Sequence, residues 1–449
     1  MIDQSLDREY CPTLSPEGQK MLDFLREHPA APRYRNQSGN RLLASEIEAL
    51  RDFELEVAEA SVGWPSEGYP PWLEDHVKQV FEDVPHFRRL GSPPGRFADI
   101  PTTTRADLAA DIARFVPDSV PIDRLINFRT TGTTGHPLLI ASHPLVAGRY
   151  LAFHKRALRR FGIELRHGRG QVGVVLLGFQ KKCFTYVSVT PIMNESGLAK
   201  INLHPDDWRH PDDRARYLDA LQPEIIAGDP ISFAELMTLP TTVKPRALLC
   251  VGMTLSSGMR QILEQRFDCP VLDLYSMNEV GPIGVFDATL DGHLLLQNRL
   301  YVEILDTDGH PVPVGTCGEI TFTGGFNFCL PLLRYRSGDH AKLAWSPEGP
   351  VLSELSGRQP VRFRTRDGAW INNIDVTHAL ASLPLSRFGL HQNADGSLAL
   401  RLAPNAMSFG KRAGALLHSL LGAYPRNIEA IAAEDKILQY TSDLDQTLA

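Results

Sequence analysis

Between residues 172 and 275, four short apolar runs alternate with stretches of helical periodicity, and that alternation leaves few folds open. The runs span 172–177, 225–227, 247–251 and 271–275, and each has the length and aliphatic content of a buried strand. Helical patterns fall around 211–221, 231–239 and 257–267. Strands that are apolar throughout and separated by helices form a parallel sheet covered on both faces. The expected fold class is therefore α/β.

The flanks read differently. Residues 1–95 are expected to be mainly helical, with Ser15 capping a helix whose first position is Pro16. Apolar residues recur at helical spacing over 44–60 and, less regularly, over 72–81. Thr103 or Thr104 is placed to cap a further helix. After Asn298, runs beginning at Tyr301, Gly318 and Ala341 read as strands of a barrel-like β-rich subdomain over 298–357. A boundary is expected at Gly357-Arg358-Gln359-Pro360. The expected organisation is a large domain over 1–357 and a small α+β domain over 361–449.

Composition removes several function classes. A net charge of -7 offers no electrostatic footprint for nucleic acid. No apolar run approaches the length of a membrane span, and the first ten residues lack the features of a signal peptide. Neither nucleic acid nor a membrane is an expected partner, and the expected location is the cytoplasm. The six cysteines are scattered without a Cys-x-x-Cys pair, as for reduced, buried thiols. A zinc site would need Cys250, Cys269, Cys317 and Cys329 to converge in space.

The stretch Thr130-Thr131-Gly132-Thr133-Thr134-Gly135-His136-Pro137 lies between two apolar runs that both read as strands. Such a loop can offer backbone N–H and hydroxyl groups to polyphosphate oxygens. It is not a Walker A loop, because no Gly-Lys-Ser/Thr follows at the required spacing. Downstream, Tyr275-Ser276-Met277-Asn278-Glu279 ends a buried strand, at the sheet edge where open α/β folds bind ligands. Asp339 follows a glycine turn in Arg334-Tyr335-Arg336-Ser337-Gly338, and Gly357-Arg358 opens the boundary segment.

In that order, these motifs resemble the adenylate-forming (acyl-CoA synthetase) superfamily, nearest its phenylacetate-CoA ligase branch. The stretch 302–320, with Gly318-Glu319, is similar to that family's connecting hairpin. The resemblance implies that Thr130, Thr131, Gly132, Thr133, Thr134, Gly135 and His136 hold the phosphates of ATP. It implies that Tyr275 stacks on adenine, flanked by Ser276 and Asn278, and that Glu279 binds Mg2+, a hard cation that takes oxygen ligands. Asp339 would accept from the ribose hydroxyls, Arg358 would lie near the ribose or α-phosphate, and Lys436 would supply catalytic charge, with Lys411 as the fallback. The implied reaction joins an aryl or arylalkyl carboxylic acid to ATP as an acyl-adenylate and transfers the acyl group to CoA. An amine or a carrier-protein thiol is the alternative acceptor, and a homodimer is compatible with the resemblance. A nucleotide-binding protein without turnover is the third reading.

Four positions depart from the family pattern. His136 replaces the loop lysine, Asn278 a threonine and Ser276 a glycine. Pro360 stands where the small domain would pivot, so Gln359 and Pro360 form an unusual hinge within 358–360. Proline fixes φ and removes a donor. The acyl pocket is expected from Phe179, Tyr186, Gly228, Met253, Met277 and Ile283, with Phe184 and Asp229 as further linings; Lys181 and Lys182 are read as facing solvent, with a substrate carboxylate as the alternative partner. If restricted rotation limits thioester formation, Pro360→Asp raises that rate in a coupled assay, and an unchanged rate counts against the restriction.

Overall fold

The computed structural model describes residues 6–65, 68–129, 138–180, 183–357, 361–432 and 438–444. The expected strands form at Val172–Gly178, Ile225–Gly228, Ala247–Val251 and Val271–Met277, joined in parallel in one thirteen-stranded sheet. Helices Asp213–Leu221, Pro230–Thr238 and Ser257–Phe267 connect them. Polar caps fix where these helices begin. Asp229 accepts from Ser232 N–H ahead of Pro230, and Ser256 accepts from Met259 N–H; each such cap contributes about 1 kcal/mol.

Beyond Met277 the same sheet turns antiparallel. Gly281–Asp287, Gly292–Leu295, Gly349–Ser356, Leu332–Ser346, Gly318–Gly324 and Leu300–Leu305 follow one another across it. The β-rich stretch is thus hydrogen-bonded into the parallel sheet through Gly292–Leu295 and Gly349–Ser356. On the opposite edge, Ser196–Asn202 pairs with Val172–Gly178, and Tyr186–Thr190 closes the sheet as an antiparallel edge strand. The sequence reading does not pick out Ser196–Asn202 or the helix Pro144–Arg160.

Before Thr103 the elements are all helical among the described residues. Ser15 caps Pro16–Glu27 by accepting from Gly18 N–H, and Thr104 caps Arg105–Ala110 in a capping box with Asp107. The residues after 360 form a hairpin, Arg362–Arg364 with Trp370–Asn372, and a four-stranded sheet beside helices Asn373–Leu380 and Gly410–Leu421. Together these elements give an α/β fold with a small α+β part at its end. No helix among the described residues is long and apolar enough to cross a membrane.

One buried ion pair ties the helical part to the antiparallel strands. Arg334 and Glu303 meet at 3.1 Å with side chains only 3% and 5% exposed. The guanidinium also donates to the carbonyls of Ala98 (2.6 Å), Ile100 (2.8 Å) and Gly309 (3.3 Å). Its backbone sits at φ +45°, where a non-glycine residue is strained. Removing one partner leaves the other charge buried and unpaired. Glu303→Ala is therefore expected to lower stability by about 3–5 kcal/mol in urea unfolding, and Glu303→Leu with Arg334→Met by less. A loss under about 1 kcal/mol for Glu303→Ala would place the pair with exposed ones.

A second buried charge acts on pH. Burial holds the Asp273 carboxyl up at about 7, against the pull of Arg260 at 3.9 Å. An unfolded chain loses that proton near pH 4, whereas the folded chain keeps it to about 7. Stability from this group is thus present at low pH and lost as pH rises through that window. Asp273→Asn should therefore raise the urea midpoint more at pH 8 than at pH 5; equal gains would show that the carboxyl is not proton-bound in the fold.

Candidate active site

The turn between Val271–Met277 and Gly281–Asp287 leaves Asn278 exposed and turns Glu279 inward, where it is only 4% exposed. Two other segments meet it there. Thr103–Thr104 pairs in parallel with Tyr335–Arg336, and this delivers Arg105, the first residue of the next helix, to the Glu279 carboxylate at 2.8 Å. The Tyr335 hydroxyl lies 3.4 Å from the same Oε1. Burial and the neighbouring Glu279 charge push the Tyr335 hydroxyl up, so it stays protonated.

Asp339 is presented by a bulge rather than by the simple glycine turn expected of it. In the register of Leu332–Ser346 with Gly318–Gly324, Glu319 faces His340 and Thr321 faces Arg336. Ser337, Gly338 and Asp339 therefore stand opposite Ile320 alone. Bulges of this kind re-aim a side chain beside a site. Glu319 braces it: Oε1 accepts from Gly338 N–H (2.9 Å) and Oε2 from Arg336 Nε (2.7 Å). Ser337 Oγ donates to Ile320 O (2.7 Å) and accepts from Asp339 N–H (3.0 Å). Gly338 supplies the φ of +81° that this path needs.

The bulge brings Asp339 to Tyr275, whose hydroxyl donates to Oδ2 at 2.9 Å. Burial first, and then the Asp339 charge, push the tyrosine hydroxyl well up. Tyr275, Glu279, Arg105, Tyr335 and Asp339 thus form one polar group at the carboxyl end of the strand Val271–Met277. Two phenols, a guanidinium and two carboxylates there suit a ligand carrying hydroxyls and anionic groups.

The strands flanking the threonine-rich loop are present and pair antiparallel, Ile126–Arg129 with Leu139–Ser142. Leu138 and Ile140 are buried in the cluster that holds Tyr335, Val280 and, at its margin, Tyr275 and Met277. The strand that follows the loop is therefore rooted in the core that also holds Val280, the residue after Glu279. Thr130, Thr131, Gly132, Thr133, Thr134, Gly135 and His136 themselves lie outside the described residues. So do Lys181, Lys182, Arg358, Gln359, Pro360 and Lys436. Lys411, the fallback cation, is exposed in the first turn of Gly410–Leu421.

The expected pocket residues divide. Gly228 and Met277 end the parallel strands Ile225–Gly228 and Val271–Met277, the partly buried Phe179 follows Val172–Gly178, and Met253 is exposed on the loop after Ala247–Val251. Ser276 is half-buried beside Tyr275. Two expectations are corrected. Ile283 is 0% exposed and packs into the core against the helical part, with no surface to offer a ligand. Tyr186 lies on the outer edge strand, five strands from the strand that ends in Met277, or about 24 Å along the sheet. That is too far for both to line one small-acid pocket. Cys250, Cys269, Cys317 and Cys329 do not come together; the group of metal-competent side chains among the described residues is Asp306, Asp308 and His310 in an exposed turn.

Sequence reasoning missed Arg105, Tyr335 and the bracing role of Glu319. Only the Thr-Thr-Thr-Arg cap segment hinted at the first, and nothing local linked it to a residue 174 positions away.

No family model matches the chain. Among curated proteins it is 26% identical over 299 residues to the phenylacetate-coenzyme A ligase of Escherichia coli (strain K12), a match covering 60% of this chain and 64% of that one. It is 24% identical over 296 residues to the phenylacetate-coenzyme A ligase of Aromatoleum evansii, with the same coverage. The chain thus spans less than two thirds of the length of these relatives. A solved structure of 2-hydroxyisobutyryl-CoA ligase, in the postadenylation state with 2-HIB-AMP, superposes with a TM-score of 0.60 at 16% identity, covering 90% of both chains. In sequence the chain is similar to the phenylacetate-CoA ligases, and it shares its fold with the 2-hydroxyisobutyryl-CoA ligase structure.

Proposed function

We propose that this protein activates a carboxylic acid of the aryl or arylalkyl class with ATP, forming an acyl-adenylate and pyrophosphate, and then passes the acyl group to the thiol of CoA. The observation that carries this reading is the hydrogen bond between Tyr275 and Asp339 beside the Glu279–Arg105 pair, against the core that also holds Leu138 and Ile140. On this reading Tyr275 and Asp339 hold the adenosine, through its ring and ribose hydroxyls. Thr130 to His136 hold the phosphates, and Arg358 and Lys436 bring charge to the reacting centre.

A substrate carboxylate attacking the α-phosphorus joins two anions, so cationic groups and alignment dominate the barrier. Arg105 is the cation that the described residues place at the Glu279 end of the site. The Glu279 carboxylate, flanked by the Tyr335 hydroxyl, offers the oxygen donors that Mg2+ takes, and Arg105 would have to yield Oε1 to it. Bound there, the ion would offset phosphate charge. Phe179, Gly228, Met253 and Met277 are the acyl-pocket residues retained in this proposal. Transfer to an amine or to a carrier-protein thiol is the second reading, favoured by Pro360 at the expected hinge.

Pyrophosphate exchange across a panel of aryl, arylalkyl and short aliphatic acids tests the first step, and CoA, amines or a carrier protein added afterwards test the second. Exchange with an aryl acid followed by CoA-thioester formation is the expected result. Exchange without a thioester moves the assignment to the second reading, and no exchange with any acid sinks the adenylation reading. Arg105→Ala is expected to slow exchange by on the order of 10²-fold, as for loss of a positioned charge.

A further inference from the structure

The chain beyond residue 360 has its own core, in which Phe363, Val376, Leu400 and Leu417 are fully buried among themselves. A unit with a separate core moves against its neighbour by default unless the contact between them is large and apolar. Three hydrogen bonds seat this unit on the first turn of Ser257–Phe267. Ser256 Oγ donates to Leu383 O (2.9 Å), Ser257 Oγ to Ala381 O (3.0 Å) and Gly258 N–H to Ala381 O (2.8 Å). The last bond satisfies a helix N–H that has no partner within its own helix.

Gly258 is the residue that permits this approach. A Cβ at 258 would lie 2.6 Å from Ser382 O and 2.8 Å from Leu383 C, both backbone atoms that cannot swing aside. At this place the glycine leaves room for the backbone of 381–383, which a side chain would displace. The seat is also close to the site. Its helix follows the Met253 loop and the strand Ala247–Val251, whose Val251 pairs with Leu274, next to Tyr275.

We propose that Ser256, Ser257 and Gly258 form a docking seat for the C-terminal unit at the carboxyl edge of the sheet, and that the absent side chain at 258 sets how much of the protein is docked. The consequence that docking governs one half-reaction more than the other rests on the function proposed above; the seat itself does not.

Hydrogen exchange on the full chain tests it, comparing the parent with Gly258→Ala and, separately, Ser257→Ala, a change at an exposed helix position. In Gly258→Ala, segments 255–262 and 378–386 should exchange faster by on the order of tenfold, with a smaller rise in Ser257→Ala. Strands Val172–Gly178 and Leu398–Leu402 should keep parental rates in both. Parental rates at the two contact segments in both variants overturn the seat. If Gly258→Ala loosens the whole protein, Ser257→Ala decides: a local rise upholds the seat and none overturns it. Unequal loss of pyrophosphate exchange and thioester formation in Gly258→Ala supports the kinetic consequence, and equal loss overturns it. A parent without either activity removes the function reading but leaves the exchange result standing.

Discussion

The Arg334–Glu303 pair is the constraint on which the site geometry depends. Two buried charges are tolerated because the guanidinium uses its donors on one carboxylate and three backbone carbonyls. Those carbonyls belong to 98–100 and to the turn at Gly309, so a single side chain fixes the helical part against the antiparallel strands. Immediately after Arg334, Tyr335 and Arg336 pair with Thr103 and Thr104. The register set by the ion pair thereby decides where Arg105 emerges, and hence that it meets Glu279. A hydrophobic replacement of similar volume could hold the layers together, but it would not specify which carbonyls are gripped.

From the same strand, the bulge at Ser337–Asp339 turns a structural element into a presenting one. Glu319 spends both carboxylate oxygens on it, one on the Gly338 N–H and one on Arg336. Asp339 is thus braced from behind before it meets Tyr275. A carboxylate aimed by a braced bulge holds its direction when a ligand binds, whereas a free turn aspartate would have to be ordered at that moment.

Much of the fold was legible in the residues because its signals are local. The four parallel strands, the Ser15-Pro16 cap, the Thr104 cap and the helix Ser257–Phe267 each depend on neighbours within a few positions. The helix Pro144–Arg160 escaped because its four arginines and one lysine mask its apolar stripe; several of them are held against other elements, as in Lys155 with Glu54 and Arg160 with Asp287. Ser196–Asn202 escaped because it mixes Ser, Gly, Lys and Asn into a strand. At the site, Tyr275, Glu279 and Asp339 were legible as motif residues. What held them was not: Arg105 to Glu279 and Tyr275 to Asp339 are contacts across 174 and 64 residues. Ile283 and Tyr186 were misplaced because closeness in sequence to a motif says nothing about which face or which strand a side chain occupies.

These features divide the proposed chemistry between two kinds of structure. Tyr275 and Asp339 are carried by strands of a continuous sheet and Glu279 by the turn between two of them, locked by buried pairing and by a bulge with its own hydrogen bonds. Their mutual geometry persists for as long as the sheet does. At the start of the helix Ser257–Phe267 the unit beyond residue 360 is held by two serine hydroxyls and one backbone N–H, contacts that water can replace at little net cost. Holding a nucleotide therefore depends on the most cooperative part of the fold, whereas any step that needs the C-terminal unit depends on a weak, reversible contact. On the proposed reading, substitutions in the sheet should affect both half-reactions together, and substitutions at residues 256–258 should separate them.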